Sequence, residues 1–253
     1  MKLALFGGTF DPVHRGHLAI ACAAAEQFDL GLVYFVPANV PPHKGDRALS
    51  AFHHRYAMLA LATADEQRFV PSLLEADSSQ PNYSIQTVRR LKSTLKKSDK
   101  LYFLIGIDAF MEISTWKQPA QLLAECDFIV ASRPGHSLAD VGQALPETLR
   151  PAPAVLQAFR KHEASGTIAL PSTTIHLLSG LNEPVSSTQI RAAAGQSVRQ
   201  LSRYVPAAVA GYIKKEHLYT SNSAGGNKES AKNAKVLSFR RRHPSGVIKN
   251  KNE

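Results

Sequence analysis

The sequence predicts an α/β fold in which a mostly parallel sheet is covered by helices on both faces. Two apolar runs, Leu3 to Phe6 and Leu32 to Val36, contain no charged residue and are typical of buried strands. Between them, residues 16–27 combine spaced apolar side chains with the absence of proline, which predicts a helix against a core. Strand, helix and strand in this order form the repeating unit of a Rossmann-like sheet.

The same alternation continues along the chain. It predicts helices near residues 52–63 and 84–97, and strands near residues 69–73, 101–107, 128–131 and 175–178. Ligands of such sheets bind where the carboxyl ends of the strands meet. We therefore expect the functional residues at that edge.

The domain boundary follows from composition. The chain has 253 residues, 44% of them hydrophobic, which is enough for a sizeable core, and we expect one domain over residues 1–219. An insertion is expected at about residues 135–185, where several prolines interrupt a weakly amphipathic helix near residues 154–162. Residues 220–253 hold few large apolar side chains, which predicts a disordered C-terminal tail.

The basic charge is concentrated in that tail. Residues 220–253 contain eight lysines or arginines and two glutamates, so they carry +6 of the formal net charge of +10. A solvated basic tail is the default interpretation, and nucleic-acid binding through it is the alternative. The remaining +4 suits a domain that handles phosphates.

A cytoplasmic location is expected. No run approaches the roughly 18 apolar residues of a membrane helix, and the apolar start is too short for a signal peptide. The two cysteines, Cys22 and Cys126, lack the spacing of a metal site or a redox pair, which suits a reducing compartment.

The strongest motif is the segment Gly7 to His17, between the first strand and the first helix. Glycines allow a ligand close to the backbone, and a helix start offers unpaired N–H groups and a positive dipole end. Thr9 adds a hydroxyl. His14 and His17 can face one pocket and donate to phosphoryl oxygens.

A second motif is the segment Val185 to Arg191. Ser186 or Ser187 would cap a helix, and Arg191 would lie about one turn further along. Hydroxyl groups, backbone donors and a guanidinium form a second polyphosphate site. Two such sites on one sheet predict ATP bound along its triphosphate.

These two motifs resemble the His-any-Gly-His and Ser-Ser-Thr-any-any-Arg signatures of the nucleotidyltransferase superfamily. Five further segments are similar to one branch, the nicotinate-nucleotide adenylyltransferases: Pro41 to Lys44, Asn82 to Ser84, Gly106 to Asp108, Trp116, and Arg133 to Gly135. The resemblance runs from Lys2 to about Tyr219. Lys117, directly after the tryptophan, departs from the family pattern, and the tail lies outside it.

The resemblance implies transfer of AMP from ATP to nicotinate mononucleotide, with Mg2+ bound to the ATP phosphates and no metal held by the protein. It implies catalytic roles for His14, His17 and Arg191. ATP-binding residues would be Gly7, Gly8, Thr9, Phe10, Gly106, Asp108, Arg133, Ser187 and Thr188. Mononucleotide-binding residues would be His43, Lys44, Tyr83, Ser84 and Trp116.

Alternatives remain open at this stage. The chain could be another adenylyl- or cytidylyltransferase of the superfamily, or a non-catalytic nucleotide- or RNA-binding protein. Asp11 is equally well explained as a turn residue or as an acid that supports the site. The sequence does not predict an oligomeric state.

Overall fold

The computed structural model describes the following parts of the chain: residues 1–40, 49–77, 81–133, 135–161, 166–180 and 185–220. Two predicted binding residues, His43 and Lys44, lie outside the described residues. So does the tail from residue 221 onward.

The described strands form a single sheet. Its strands are β1 (Lys2–Gly8), β2 (Leu32–Pro37), β3 (Phe69–Pro71), β4 (Lys100–Gly106), β5 (Asp127–Ala131), β6 (Gly166–Ala169) and β7 (Thr174–Leu178). The spatial order is β3-β2-β1-β4-β5-β7-β6. All neighbouring strands are parallel except the edge pair of β6 and β7.

Helices connect these strands. They are α1 (Arg15–Phe28), α2 (Phe52–Thr63), α3 (Ser84–Lys92), α4 (Ile107–Phe110), α5 (Pro119–Glu125), α6 (Leu138–Ala144), α7 (Pro153–Lys161), α8 (Ser187–Ala192), α9 (Val198–Leu201) and α10 (Ala207–Lys215). No helix within the described ranges is long and apolar enough to cross a membrane.

The sheet separates two apolar cores. Successive side chains of a strand point to opposite faces, and Leu5 and Phe6 accordingly belong to different clusters of buried residues. Phe6 packs in the cluster that includes side chains of α1, α2 and α10. Leu5 packs in the cluster that includes side chains of α3, α5 and α6. The predicted α/β sheet with helices on both faces is therefore confirmed.

Some element boundaries differ from the prediction. Helix α3 ends at Lys92 instead of about Lys97, because the N–H groups of Thr94 and Leu95 donate three residues back, as in a turn, rather than four residues back. Strand β3 stops at Pro71, and Leu73, predicted within it, is 57% exposed. Ile107, predicted as strand, begins α4.

The stretch from residue 135 to residue 180 builds one edge of the sheet. It contains α6 and α7, then β6, and finally β7, which pairs in parallel with β5. Gly142 of α6 lies so close to α7 that a Cβ atom there would be 2.6 Å from the Leu156 side chain. The two helices therefore pack tightly against each other.

The end of the folded domain contacts the first motif. The hydroxyl of Tyr219 donates to Oδ1 of Asp11 at 2.7 Å, and Leu218 is buried in the core next to it. Burial raises the pKa of Tyr219. The phenol therefore stays protonated and able to donate.

We expect truncation after Tyr219 to leave the thermal midpoint and turnover nearly unchanged, because the tail has little apolar surface.

Tyr219→Phe should lower the free energy of unfolding by roughly 1.5–3 kcal/mol, the usual value for a hydrogen bond to a charged group. Denaturant unfolding of the wild type and of Tyr219→Phe measures this difference in free energy. If Tyr219→Phe is as stable as the wild type, the contact with Asp11 does not stabilise the fold.

Candidate active site

A pocket of about 510 Å³ opens at the carboxyl ends of the central strands. Its walls come from the ends of β1 and β4, from the start of α1, and from residues next to α3 and α8. The chain passes from β1 to β2 on one side and reaches β4 on the other, so the pocket lies at the switch point where ligands of such sheets bind. The volume is within the usual range for small-molecule sites, roughly 300–1,000 Å³.

The first motif brings the backbone close to this pocket. Gly7, Gly8 and Thr9 line it. A Cβ atom on Gly8 would be 3.1 Å from the ring of Phe10, so close packing favours glycine at this position. Phe10 has a φ of 47° and is 1% exposed, with its ring between Phe6 and Phe35.

Phe10 therefore differs from the role the sequence suggested. Its ring belongs to the core and does not line the pocket. A nucleotide could contact only its main chain. Its position inside the motif, directly after three residues that line the pocket, suggested a contact that its side chain does not make.

The two motif histidines lie together at the start of α1. His14 is the residue before the helix and His17 lies in its first turn, and their rings stack with centroids 3.7 Å apart. The main-chain N–H of His14 donates to Nδ1 of His17 at 3.2 Å. Because Nδ1 accepts, neutral His17 carries its proton on Nε2. His17 is thus held as a hydrogen-bond donor.

His14 is a buried, neutral imidazole near neutral pH. It is 6% exposed, and burial, together with the charge of Arg133, lowers its pKa from 6.5 to about 4. Its Nδ1 atom is buried with no hydrogen-bond partner among the described residues. With this pKa, His14 carries no positive charge near neutral pH.

This pKa predicts a pH dependence of stability. Above pH 6.5, His14 is neutral in the folded and unfolded states; between 6.5 and about 4 only the unfolded chain takes up its proton, so stability is lost as the pH falls through that window. The full loss is roughly 3 kcal/mol. Denaturant unfolding at several pH values, compared with His14→Gln, measures it; equal pH dependence in both proteins would contradict the assignment.

The second motif supports the first from the side. Ser186 caps α8 by accepting from the main-chain N–H of Gln189 at 3.3 Å, and Ser187 donates to the main-chain oxygen of Pro12 at 3.0 Å. Arg191 donates to the main-chain oxygen of Asp11 and to Oγ1 of Thr188 at 2.9 Å. These bonds join α8 to the first motif.

Ser187 lines the pocket, whereas Thr188 and Arg191 do not. For Arg191 to bind phosphate as predicted, its guanidinium would have to break its hydrogen bonds to Asp11 and Thr188. Breaking the second of these bonds would also be needed to release the Thr188 hydroxyl from Arg191. In the observed arrangement the guanidinium holds the motif loop, because it reaches the Asp11 carbonyl rather than the open pocket.

The other predicted residues among those described also line the pocket. Gly106, Asp108 and Arg133 do so near the end of β4, and Arg133 and Asp108 form an ion pair of 3.1 Å between exposed side chains. Tyr83, Ser84 and Trp116 line it as well, and we call this group its aromatic end. Trp116 packs edge-on against Phe103 with ring centroids 6.4 Å apart.

Several site residues were missed by sequence reasoning. Glu75, Glu112, Lys117 and Ser132 line the pocket. Asn82, noted only as part of a similar segment, also lines it and accepts from the main-chain N–H of Val40 at 3.3 Å. Single acids, lysines and serines outside a recognisable motif carry no local signal of this kind.

A buried arginine, Arg55, is hydrogen-bonded to the main chain of the first motif. Arg55 is 1% exposed and donates to the main-chain oxygens of Thr9 at 2.9 Å, Ala38 at 2.7 Å and Ser50 at 2.9 Å. Oδ2 of Asp11 accepts from the Ser50 N–H at 3.3 Å. Asp11 therefore supports the site through contacts on several sides, in addition to its place in the turn.

Comparison with known proteins places this arrangement in a family. Residues 5–193 match the family model described as cytidylyltransferase-like. A protein of Geotalea uraniireducens named "Probable nicotinate-nucleotide adenylyltransferase" is 37% identical over 222 residues, which is 87% of this chain and 98% of that protein. One of the same name from Desulfotalea psychrophila is 39% identical over 220 residues, 86% of this chain and 99% of that protein.

The chain belongs to the nicotinate-nucleotide adenylyltransferases. The resemblance found in the sequence is thereby confirmed, and these relatives favour this branch over other nucleotidyltransferases. Among solved structures, the Plasmodium falciparum nicotinic acid mononucleotide adenylyltransferase complexed with NaAD has the same fold, with a TM-score of 0.60 and 18% identity. That similarity covers 86% of this chain and 97% of the other.

Proposed function

We propose that this nicotinate-nucleotide adenylyltransferase transfers AMP from ATP to nicotinate mononucleotide. The products are nicotinate adenine dinucleotide, the deamido precursor of NAD, and pyrophosphate. The observation that carries the proposal is a single pocket that joins the glycine loop and the stacked histidines to an aromatic end with Tyr83 and Trp116. A polyphosphate and a pyridine ring can occupy the two parts together.

The reaction requires positioning more than proton transfer. The 5′-phosphate of the mononucleotide is already an anion near neutral pH, and it attacks the α-phosphorus of ATP in line with the departing pyrophosphate. No general base or covalent enzyme intermediate is needed, because catalysis can come from alignment and from donors aimed at the developing charge. Nε2–H of His17 is one such donor.

His14 supports the reaction in a different way. It enters the cycle neutral, with a pKa of about 4. Triphosphate oxygens placed beside its ring would favour the protonated form and raise that pKa. His14 therefore serves as a donor whose charge depends on the bound nucleotide.

Each part of the substrate has candidate partners. The adenosine half would bind near Gly106, Asp108 and Arg133, with Ser187 beside the phosphates. The nicotinate ring would stack on Trp116, with its carboxylate at the start of α3. Phosphate binding by His43 and Lys44 stays a prediction, and so does a cytoplasmic location.

Mg2+ would accompany the ATP phosphates and neutralise part of their charge. The described residues contain no group of three histidines, cysteines, aspartates or glutamates that could hold a metal ion. Phosphate oxygens and water would therefore be its ligands, as Mg2+ commonly prefers.

Pyrophosphate release tests the proposal. Purified protein is mixed with ATP and Mg2+ and either nicotinate mononucleotide or phosphopantetheine, and CTP replaces ATP in a parallel series. We expect release with ATP and nicotinate mononucleotide. Preference for phosphopantetheine or CTP would move the protein to another branch, and no release with any pair would indicate a binding protein.

A further inference from the structure

Two charged residues at the aromatic end of the pocket are not used by the mechanism above. Lys117 lines the pocket, and its ammonium group lies over the ring of Tyr83, 5.8 Å from the centroid. Glu75 lines it as well and is 6% exposed. Lys117 carries an ammonium group and Glu75 an ionisable carboxyl group, and both neighbour the start of α3.

Glu75 is fixed beneath the first turn of α3. Its Oε1 accepts from the hydroxyl of Thr87 at 2.5 Å, and the same hydroxyl lies 3.5 Å from the main-chain oxygen of Tyr83. Oε2 is buried as well, and the main chain of Asn39 contributes a further hydrogen bond to the carboxyl group. A carboxyl group in this position is poorly screened by water, so a second carboxylate nearby would feel it strongly.

Burial and charge act against each other on Glu75. Burial raises its pKa, whereas the hydrogen bonds from Thr87 and the main chain of Asn39 and the charges of Arg90 and Arg55 lower it, and burial dominates. The positive groups are Arg55 on α2 and Arg90 on α3. Their charges favour the ionised form of the Glu75 carboxyl group.

The part of the pocket that would receive the pyridine ring must distinguish the carboxylate of nicotinate mononucleotide from the carboxamide of nicotinamide mononucleotide. Nicotinate mononucleotide and nicotinamide mononucleotide differ there by one negative charge. A fixed cation favours the acid and a fixed anion disfavours it, while a neutral amide is nearly indifferent to both. Glu112 and Lys117 both line the pocket with exposed side chains, so solvent screens both charges; Lys117 in addition lies over the ring of Tyr83, next to the start of α3.

We propose that Lys117 is a specificity-determining residue that favours the acid over the amide, and that Glu75 opposes it from beneath α3. This inference rests on the proposed function, since it concerns which mononucleotide the same site prefers. It assigns a role to a position where the sequence departs from the family pattern.

The test measures kcat/KM for both mononucleotides with saturating ATP and takes their ratio, acid over amide. Lys117→Met should lower the ratio roughly fivefold, as expected for one partly solvated charge pair. Lys117→Arg should restore it. Glu75→Gln, which keeps an oxygen for the Thr87 hydroxyl, should raise the ratio roughly three- to tenfold.

The two substitutions are expected to change the ratio in opposite directions, and this distinguishes a role in specificity from structural damage. A distorted pocket would lower activity with both substrates and would give no reason for the ratio to rise. Two controls lie outside the pocket, the exposed Lys96 and the half-buried Glu66, changed as Lys96→Met and Glu66→Gln. Neither should alter the ratio. Added salt should lower the wild-type ratio more than that of Lys117→Met.

An unchanged ratio in Lys117→Met overturns the role of the lysine, and an unchanged or lower ratio in Glu75→Gln overturns that of the glutamate. Failure of the proposed function gives a different result, since wild-type protein would then release no pyrophosphate with either mononucleotide.

Discussion

We expect replacement of His17 by alanine to lower kcat by about two to three orders of magnitude, and replacement of His14 by alanine to have an effect of the same size. This is the usual loss when one preorganised donor to a transition state is removed. His17 is preorganised because its Nδ1 is occupied by the main-chain N–H of His14, which leaves Nε2–H to donate. His14 is preorganised by burial and by stacking on His17.

Steady-state pyrophosphate release with ATP and nicotinate mononucleotide measures the effect, and thermal unfolding verifies that each variant is folded. His53→Ala is the matched control, because His53 is an exposed histidine of α2 that does not line the pocket. Its turnover should equal that of the wild type. Near-normal turnover in a folded His17→Ala protein would remove that histidine from the mechanism.

The sheet could be predicted because its signals are local. Each central strand is a short apolar run, and the residues between the first two strands have helical spacing without a proline. Those patterns fix element type and order, and a right-handed βαβ connection then allows few arrangements. Element ends depend on turns such as the one that stops α3 at Lys92, for which the sequence carries a weaker signal.

The candidate site was predicted where residues adjacent in sequence share a ligand. The motif from Gly7 to His17 is of this kind, since one turn and one helix start place its groups together. The role of Arg191 could not be predicted in this way. Its hydrogen bond to Asp11 joins residues 180 positions apart, and the sequence alone does not show that the guanidinium turns toward that carbonyl.

The buried charges were missed for a related reason. Arg55 and Glu75 look like ordinary surface residues in the sequence, yet they are 1% and 6% exposed. Each is kept in the interior by partners from distant segments, such as Thr9 for the arginine and Thr87 for the glutamate. Burial of a charge becomes visible only when the packing around it is known.

The second large effect concerns the substrate: nicotinate mononucleotide should be used much better than nicotinamide mononucleotide. Helix α3 begins at Ser84, and the residue before it, Tyr83, provides no side-chain cap. The first N–H groups of a helix have no partner within it, so they can donate to a carboxylate. The amide presents its own NH2 group to at least one of these donors, and mispaired buried donors are costly.

Losing one or two charge-assisted bonds costs roughly 2–5 kcal/mol, on the order of 30-fold to several thousand-fold in kcat/KM. Lys117 supplies only a small part of this ratio, so most of it should persist in Lys117→Met. Trp116→Ala should lower kcat/KM equally for both mononucleotides, because stacking on the pyridine ring hardly depends on the ring's substituent. Equal kcat/KM for acid and amide in the wild type would rule out a carboxylate site at the start of α3.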